Sequence, residues 1–538
     1  MKLAIAQINP TVGAIDANRE RISAARRTAA ESGAQIVVTG ELALSGYPPE
    51  DLVLRRSFLE QIARAAQELA VQTADGGPAI LLGAPWAVEG KARNAALLLD
   101  GGAITAVRFK HHLPNYGVFD EARFFTSGPL PEPVEFRGHR LGVMICEDMW
   151  RDDVASHLKA TGAETLVVLN GSPFEVDKPN QRAERAQARV RETGLPLIYV
   201  NQVGGQDELV FDGASFVLDK AGKLTGRLPA WREAVCLADA TEIAPQPEPL
   251  EAIYQAMMLG LRDYVNKNGF PGVVLGLSGG IDSALSAAVA VDALGPSRVH
   301  CVMMPSPFTS QDSLEDADGV GRLLGTGVKT ISIEPAMKAF TAMLAPSLAN
   351  QERGTTDENI QARARGLTLM ALSNAFGPLV LSTGNKSEMS VGYATLYGDM
   401  CGGYSVLKDV YKTTVFALSR WRNQAHPSGG LGPVGPVMPE RVITKAPTAE
   451  LKHNQTDQDT LPPYAVLDDI LHGLIELDMS LSEIVARGHA ADLAQRVWRM
   501  INRAEYKRRQ APPGVKISSR ALSRDRRYPI TDAFKDLS

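Results

Sequence analysis

Short apolar runs alternate with longer amphipathic stretches along this chain. In its first part, β-branched and leucine-rich runs occur at 36–39, 141–145 and 166–169, and Ala-, Arg- and Glu-rich stretches such as 17–32 and 181–193 lie between them. Short apolar runs bounded by polar residues predict buried strands, whereas the longer amphipathic stretches predict helices. The pattern therefore predicts an α/β domain.

A proline-rich segment separates this pattern from a second one. Residues 241–250 include three prolines and show no periodicity, which is typical of an extended connector. After it we predict a helix at 250–268, strands at 273–277, 299–304, 328–333 and 379–383, and a helix from Asp282. We therefore expect a first domain over 1–240, a linker over 241–250 and a second domain over 251–538. The second alternation predicts a mostly parallel sheet with helices on both faces.

Three polar stretches of the second domain have no clear periodicity. Residues 426–439 and 444–463 are predicted loops, and loops of this length are typical of lids and binding segments or of disorder. The tail over 503–527 carries nine basic residues against two acidic ones, so it is either a solvated face or a phosphate-binding segment.

Composition excludes several classes of protein. A chain of 538 residues exceeds the length, about 250–300 residues, at which a single core stops growing. The 44% hydrophobic and 22% charged residues argue against a disordered, collagen-like or disulfide-scaffold protein. A net charge of −5 argues against general binding to nucleic acid or anionic membranes. The four dispersed cysteines predict neither a zinc site nor a disulfide framework. Because the sequence shows no apolar core of a signal peptide and no long apolar run, we expect a cytoplasmic protein that has no membrane span.

The sharpest local pattern is VVLGLSGGIDSALSAAVAV at 273–291, an apolar strand, a glycine turn and an Ala-rich helix. Gly279 and Gly280 allow close approach to the backbone, and the free amides at a helix start favour an anion. We expect Asp282 or Ser283 to cap the helix. The lysine of a Walker A loop is absent. The pattern predicts a phosphate site, the alternative being a glycine-rich turn that binds no ligand.

Three polar side chains of the first domain each follow an apolar run. Cys146 ends LGVMIC, Glu41 follows IVVTG, and Lys110 follows AITAVRF. A cysteine in this position is by itself typical of an inert buried residue, but three such strand ends could converge. His111 and His112 adjoin the lysine, and because neighbours on a strand point to opposite sides, we predict no metal site there.

The second half closely resembles the NAD synthetase family. The resemblance rests on S-G-G-x-D-S at 278–283, N-I-Q-A-R-x-R at 359–365, S-T-G-N-K-S-E with G-Y-x-T-x-Y-G-D at 382–399, and P-T-A-E-L-K-x-N-Q-T-D-x-D-x-L-P-P-Y at 447–464. It implies a Rossmann-like, doubly wound parallel sheet of the adenine nucleotide alpha-hydrolase type, with ATP held at a pyrophosphatase loop. The implied ATP contacts are Gly276, Leu277, Ser278, Gly279, Gly280, Ile281, Asp282, Ser283 and Thr383. The implied contacts of deamido-NAD are Asn359, Glu388, Asp399, Lys408 and Lys507. Because Mg²⁺ prefers oxygen ligands, Asp282 and Glu388 are its candidate ligands.

The first half resembles the nitrilase, or carbon-nitrogen hydrolase, superfamily from residue 2 to about 220. The resemblance implies an α-β-β-α sandwich in which Glu41 is the general base, Cys146 the nucleophile and Lys110 the oxyanion donor. Glu121 matches a further glutamate that positions substrate. In the glutaminase branch of the superfamily, the glutamine-binding positions correspond to Tyr116, Ser172 and Lys178. The chain reads C-E-D-M-W after the strand, where many nitrilases have C-Y-D.

Together the two halves resemble the glutamine-dependent NAD synthetases. This implies a γ-glutamyl thioester, ammonia transfer to adenylated deamido-NAD, and release of NAD, AMP and pyrophosphate. The expected ligands are L-glutamine, deamido-NAD, ATP and Mg²⁺, with no tightly bound prosthetic group, no nucleic acid and no membrane, and we expect a homo-oligomer. The alternatives are another glutamine-dependent adenylating amidotransferase with a different carboxylate or nucleotide substrate, and a binding module with a degenerate first domain. The first usually has another glutaminase class, some with an amino-terminal cysteine, whereas residue 2 here is lysine.

Overall fold

The computed structural model describes residues 1–349, 351, 354–452 and 455–534, so residues 453–454 of one predicted loop and the last four residues of the predicted second domain lie outside it. The chain divides into two compact units, Met1–Glu248 and Pro249–Ser538. Within the described residues, no helix combines the length and the apolar character needed to cross a membrane.

The first unit contains two six-stranded sheets. Its strands are β1 Leu3–Gln7, β2 Ile36–Thr39, β3 Ala79–Val88, β4 Lys91–Asp100, β5 Ala103–Phe109, β6 Val134–Phe136, β7 His139–Ile145, β8 Thr165–Asn170, β9 Leu197–Asn201, β10 Val203–Gln206, β11 Leu209–Asp212, β12 Phe216–Leu218, β13 Leu224–Arg227 and β14 Ala234–Leu237. Its helices are α1 Ile15–Glu31, α2 Arg56–Gln72, α3 Glu121–Phe124, α4 Asp153–Ala160 and α5 Lys178–Thr193. The sheet orders are β14-β1-β2-β3-β4-β5 and β13-β12-β9-β8-β7-β6, and β10 and β11 form a separate ribbon.

The two sheets pack face to face through a shared apolar layer. Ile5 and Val38 of the first sheet lie in one core cluster with Val143 and Val167 of the second. Helices α1 and α2 cover the outer face of the first sheet, and α4 and α5 cover that of the second. Strands covered on both faces read as continuous apolar runs, which is why β1 and β2 are buried throughout. The predicted α-β-β-α sandwich is confirmed.

The second unit is built on one parallel sheet. Its strands are β15 Val273–Gly276, β16 Val299–Met303, β17 Val328–Thr330, β18 Leu379–Ser382 and β19 Tyr404–Ser405. Its helices are α6 Pro249–Lys267, α7 Ile281–Leu294, α8 Gln311–Leu324, α9 Glu334–Leu348, α10 Thr356–Phe376, α11 Lys386–Val391, α12 Lys412–Gln424, α13 Glu440–Thr444, α14 Tyr464–Ile475, α15 Leu481–Ala486, α16 Ala491–Arg503 and α17 Glu505–Arg508. Helix α6 thus begins inside the stretch predicted as linker.

The strand order β17-β16-β15-β18-β19, with all pairs parallel, confirms the predicted doubly wound sheet. Helix α10 packs on one face, where Leu369 lies in a cluster with Val274 and Val380. The chain leaves β15 in one direction and β18 in the other, so their carboxyl ends form the crevice in which open α/β sheets bind ligands.

A buried arginine holds the predicted loop 426–439, which contains no helix or strand. Arg422 of α12 forms a two-pronged ion pair with Asp292 of α7 at 2.6 and 3.0 Å. Its guanidinium also donates to the carbonyl oxygens of Pro433 and Gly435. The loop is therefore fixed against the end of α7 that is remote from the glycine turn.

Some cations of the basic tail over 503–527 are buried. For these residues both predicted alternatives, a solvated face and a phosphate-binding segment, are wrong. Arg508 donates to the carbonyl oxygens of Ser390 and Ile501, and Lys516 donates to those of Ser518 and Ser519. Buried polar groups require partners, and these cations find them in the backbone of the same unit.

The tail also completes the burial of Lys386, the lysine of the S-T-G-N-K-S-E motif. Its ammonium pairs with Asp409 and Glu476 at 2.9 Å, and donates to the Ser518 hydroxyl at 2.6 Å and to the Arg520 carbonyl at 3.0 Å. The lysine side chain is fully buried. The motif segment is thus bound to residues that come more than 100 positions later.

Candidate active sites

Three predicted residues of the first unit lie just after the carboxyl ends of strands, and a fourth, Glu121, reaches them from the start of α3. Glu41 follows β2, Lys110 follows β5 and Cys146 follows β7, and all three are buried. The Lys110 ammonium lies 2.7 Å from Glu41 Oε1 and 2.9 Å from both carboxylate oxygens of Glu121. Cys146 has φ 46°, in the left-handed region, so the thiol stands on a sharp turn directly after its strand.

Residues that the sequence did not indicate orient the two carboxylates. Asn94 donates to Glu41 Oε1 at 2.7 Å, and the amide of Gly171 donates to Glu41 Oε2 at 2.9 Å. The Tyr47 hydroxyl donates to Glu121 Oε1 at 3.0 Å. Each carboxylate is therefore held by the ammonium and by at least one neutral donor.

Burial and charge together set the protonation of this centre. Burial raises the pKa of Glu121 to about 7, against the lowering effect of Lys110. Burial would lower the pKa of Lys110, but the charges of Glu121, Glu41 and Cys146 raise it well above its usual value. Burial and the charge of Glu41 raise the pKa of Cys146. The thiol is thus protonated at rest and needs a base before it can attack.

A buried aspartate joins the segment after Lys110 to the turn that carries Cys146. Asp148 Oδ1 accepts the backbone N–H groups of His111 and His112 at 3.1 and 2.9 Å. Its other oxygen accepts that of Ile145 at 3.1 Å. Burial raises the pKa of Asp148 to about 6, although its backbone hydrogen bonds lower it.

Two of the predicted glutamine contacts lie against the turn Cys146–Trp150. The Tyr116 hydroxyl donates to Glu147 Oε2 at 2.8 Å, and the Lys178 ammonium lies 4.9 Å from the centre of the Trp150 ring.

The third predicted contact, Ser172, is buried and fixed by Arg182. That guanidinium donates to the hydroxyl and the carbonyl of Ser172, to the carbonyl of Pro173 and to Asp212. Arg182 was not indicated by the sequence.

The expectation about His111 and His112 rests on a wrong premise. Strand β5 ends at Phe109, so neither histidine lies on a strand. Their ring centres are 4.6 Å apart, and both lie close to Asp153.

In the second unit, the glycine turn lies between β15 and α7. Gly279 has φ +77°, and a Cβ there would overlap the carbonyl oxygen of Ser313, so the position requires glycine. The predicted cap is wrong, since the N-cap is Gly280 and no side chain caps it. Ser283 instead accepts the N–H of Ser278 and donates to the Gly280 carbonyl, which braces the turn from within the helix.

A cavity of about 290 Å³ opens at the carboxyl ends of β15 and β18. The predicted ATP contacts that line it are Gly276, Leu277, Ser278, Gly280, Ile281, Asp282, Ser283 and Thr383. The first amides of α7 have no partner within the helix, so this end of the cavity suits phosphate.

The two candidate metal ligands lie on either side of a lysine that the sequence did not indicate. The Lys412 ammonium pairs with Asp282 and lies 3.2 Å from Glu388 Oε1. Asn385 donates to the other oxygen of Asp282 at 2.8 Å, and Asp457 also lines the cavity. Burial raises the pKa of Glu388 to about 7, opposed by Lys412 and reinforced by Asp282 and Asp457. Three carboxylates around one ammonium leave an excess of negative charge, which suits a hard divalent cation.

Three of the predicted deamido-NAD contacts gather around residues 392–395. Thr395 donates from its hydroxyl to Asn359 and from its backbone to Asp399, at 3.0 and 2.6 Å. Lys507 donates to the carbonyl oxygens of residues 392 and 394. Lys408 is buried and packs beside the backbone at position 514. Of the predicted deamido-NAD contacts, only Glu388 and Asp399 are among the described residues that line the cavity.

Comparison with known proteins places both units. The sequence matches the Carbon-nitrogen hydrolase family over residues 2–243 and the NAD synthase family over residues 253–511. It is 48% identical to a glutamine-dependent NAD(+) synthetase of Rhodobacter capsulatus over 548 residues, covering 100% of this chain and 99% of the relative. It is 44% identical to one of Acinetobacter baylyi, covering 99% of each. The solved glutamine-dependent NAD+ synthetase of Acinetobacter baumannii, in complex with ADP, is similar with a TM-score of 0.78 at 43% identity, over 100% of this chain and 99% of that one.

Proposed function

The chain belongs to the glutamine-dependent NAD(+) synthetase family, and from this premise we propose that it converts deamido-NAD to NAD with L-glutamine as nitrogen donor and ATP as energy source. The observation that carries the proposal is the presence in one chain of two centres. One is the buried Glu41–Lys110–Cys146 cluster, and the other is the phosphate-type cavity at the end of β15.

In the first unit, Glu41 takes the proton of the Cys146 thiol, and the thiolate attacks the side-chain carbonyl carbon of glutamine. The Lys110 ammonium stabilises the oxyanion. It is already held in place in a buried, water-poor site, so little reorganisation is needed as the charge develops. Glu41 then gives the proton to the leaving nitrogen. The products of this step are ammonia and a γ-glutamyl thioester on Cys146.

Water resolves the thioester in the reverse sense. Glu41 takes a proton from water, and the hydroxide attacks the thioester carbon. The Cys146 sulfur then leaves as a thiolate and regains a proton from Glu41, which releases glutamate. Because Asn94 and the amide of Gly171 fix both oxygens of Glu41, the same carboxylate is held in position for both steps.

In the second unit, a carboxylate oxygen of deamido-NAD attacks the α-phosphorus of ATP and pyrophosphate leaves. Ammonia then attacks the activated carbonyl carbon, AMP departs, and the extra proton is lost to solvent. The carboxylate needs this activation because ammonia cannot expel an oxide ion. The turn at 277–280 and the start of α7 form the proposed cradle for the leaving pyrophosphate.

The residues around Lys412 fit a magnesium site by their chemistry. Asp282 and Glu388 would hold Mg²⁺, and Asp457 adds a third negative charge within the same cavity. When bound, Mg²⁺ supplies neutralising charge for the triphosphate. Lys412 joins the two carboxylates at rest and would turn toward phosphate oxygens when ATP arrives.

The proposed deamido-NAD contacts are Asn359, Glu388, Asp399, Lys408 and Lys507. Support comes from the grouping of three of them around residues 392–395, beside the cavity. The cytoplasmic location, the homo-oligomeric state, and the absence of nucleic-acid and membrane partners stay predictions of the sequence.

The test is to incubate the purified chain with ATP, Mg²⁺, deamido-NAD and glutamine labelled with ¹⁵N at its amide. We expect NAD that carries the ¹⁵N label, together with unlabelled AMP, pyrophosphate and glutamate, each identified by mass. Formation of ADP in place of AMP, or amidation of a different carboxylate in parallel assays, would contradict the proposal.

A further inference from the structure

We propose that His111, His112 and Asp153 form a binding site for a transition-metal ion of the Zn²⁺ class. The site lies in the first unit and is separate from the carboxylates around Lys412. It goes beyond the proposed synthesis of NAD, which requires no such ion.

The three side chains are already arranged around one point. One ligand atom of each lies within 4.8 Å of the other two, and His112 Nε2 lies 2.8 and 3.0 Å from the carboxylate oxygens of Asp153. Zinc binds nitrogen and oxygen at about 2.0–2.2 Å, so two ligands of a tetrahedral ion are about 3.3 Å apart. The cluster therefore needs only a small closing movement of side chains. Water can fill the fourth position.

The hydrogen bonding of His111 prepares it as a ligand. Its Nδ1 lies 2.8 Å from the carbonyl oxygen of Gly128, and a carbonyl can only accept, so Nδ1 carries the proton. The lone pair is then on Nε2. Metal-binding histidines characteristically donate their other ring nitrogen in this way. The backbones of both histidines are fixed by Asp148, which limits the freedom lost when an ion binds.

The donor set selects the kind of ion. Two imidazoles and one carboxylate suit zinc, cobalt or nickel, whereas Mg²⁺ prefers oxygen ligands alone. The side chains of His112 and Asp153 are 25% and 45% exposed, so an ion can enter from solvent.

An ion here would add a link between two segments of the proposed glutaminase centre. His111 directly follows Lys110, and Asp153 begins α4, just after the turn that carries Cys146. The ion would therefore act in parallel with Asp148, which already joins these segments.

The experiment is a calorimetric titration of the metal-free full-length protein with Zn²⁺, together with its thermal midpoint with and without Zn²⁺. We expect saturable binding that includes a site additional to the carboxylates around Lys412, and a higher midpoint. Asp153→Asn and His112→Asn should weaken binding at least about tenfold, since even the loss of a supporting contact costs about 10–100-fold. His157→Asn is the matched control, because His157 forms a single pair with Glu132 at 3.1 Å. Mg²⁺ in place of Zn²⁺ should bind equally to the parent and to Asp153→Asn, because its proposed ligands are the carboxylates around Lys412.

The Cys146 thiol is the competing ligand, so the titration is repeated with Cys146→Ala. Binding that persists in Cys146→Ala and is weakened in Asp153→Asn supports the proposal. Binding that disappears in Cys146→Ala but persists in Asp153→Asn overturns it. Absence of saturable binding also overturns it and leaves His112 and Asp153 as an ion pair. Since the assay uses no substrate, its result is independent of whether the chain makes NAD.

Discussion

Replacing Lys110 by methionine keeps most of the apolar stem of the side chain but removes the ammonium that pairs two buried carboxylates. The lost ion pairs are those at 2.7 Å to Glu41 and 2.9 Å to Glu121. Removing one partner of a buried ion pair costs about 3–5 kcal/mol, because the remaining charge has no compensation. Loss of one oxyanion donor typically lowers the rate by about 10²–10³. We therefore expect Lys110→Met to lose both stability and glutamine hydrolysis.

The stability loss should depend on pH in a defined direction. Burial already raises the pKa of Glu121 to about 7 while Lys110 is present, and without the ammonium it rises further. In the unfolded chain a glutamate titrates near 4.3. A carboxyl group whose pKa is higher in the folded state lowers stability only above its unfolded pKa, and the loss grows until the pH exceeds the folded pKa. The variant should thus be close to the parent near pH 5 and fall progressively below it as the pH rises through 7 toward 8.

The assay compares urea midpoints of Lys110→Met and the parent at pH 5.5 and pH 8, together with kcat/KM for glutamine hydrolysis. Lys159→Met, at an exposed position of α4, is the control for a lost surface charge. Ammonia-dependent synthesis should stay near the parental rate when the variant is folded. An equal stability loss at both pH values, or hydrolysis near the parental rate, would refute the reasoning.

Four further substitutions separate the proposed roles. Cys146→Ala should abolish glutamine-dependent synthesis and leave ammonia-dependent synthesis largely intact, as measured by NAD formation. Glu388→Gln should slow synthesis from either nitrogen source, with partial recovery at raised Mg²⁺, because it removes one negative charge from the cavity. Gly279→Ala should raise the KM for ATP without changing glutaminase activity, since a left-handed backbone costs a non-glycine residue about 1–2 kcal/mol. Arg182→Lys should raise the KM for glutamine about tenfold or more with a smaller change in kcat. Lysine cannot form both guanidinium hydrogen bonds that fix Ser172, and one hydrogen bond to a charged group is worth about 1.5–3 kcal/mol.

Each of these substitutions has an outcome that contradicts its assignment. Loss of both activities in folded Cys146→Ala would contradict the division between the units. Normal ammonia-dependent turnover in Glu388→Gln would remove that residue from the magnesium site. An unchanged KM for ATP in Gly279→Ala, or an unchanged KM for glutamine in Arg182→Lys, would show that neither position shapes its binding site.

The sequence was most informative where one strand precedes one functional group. Glu41, Lys110 and Cys146 each follow an apolar run, so each could be placed at the end of a strand. Strands β2 and β5 are separated by β3 and β4 in one sheet and β7 lies in the other, so the convergence itself depends on how the two sheets pack. The glycine turn after β15 could likewise be predicted from the sequence. In both cases, the residue and the element that positions it are adjacent in the chain.

The parts that sequence analysis missed depend on contacts between distant segments. Lys412 lies four positions after Lys408, and nothing in their spacing shows which ammonium reaches Asp282, 130 positions away. Asn94 reaches Glu41 from a strand 53 positions later, and its own sequence context is that of any asparagine in β4. For the same reason the local pattern predicts a strand that continues through the histidines after Lys110, whereas the end of β5 is set by its pairing with β4, which stops at Phe109.

The burial of Lys386 has a consequence for how the chain folds during synthesis on the ribosome. Besides its ion pairs with Asp409 and Glu476, its ammonium donates to Ser518 and Arg520, which lie 132 and 134 positions later. Until those residues are available, closing the motif segment would leave a buried cation short of hydrogen-bond acceptors. The first unit, complete at residue 248, can fold while translation continues. The second unit must wait until residue 520 has been synthesised, so a nascent chain can acquire its thiol centre well before it can complete the nucleotide cavity.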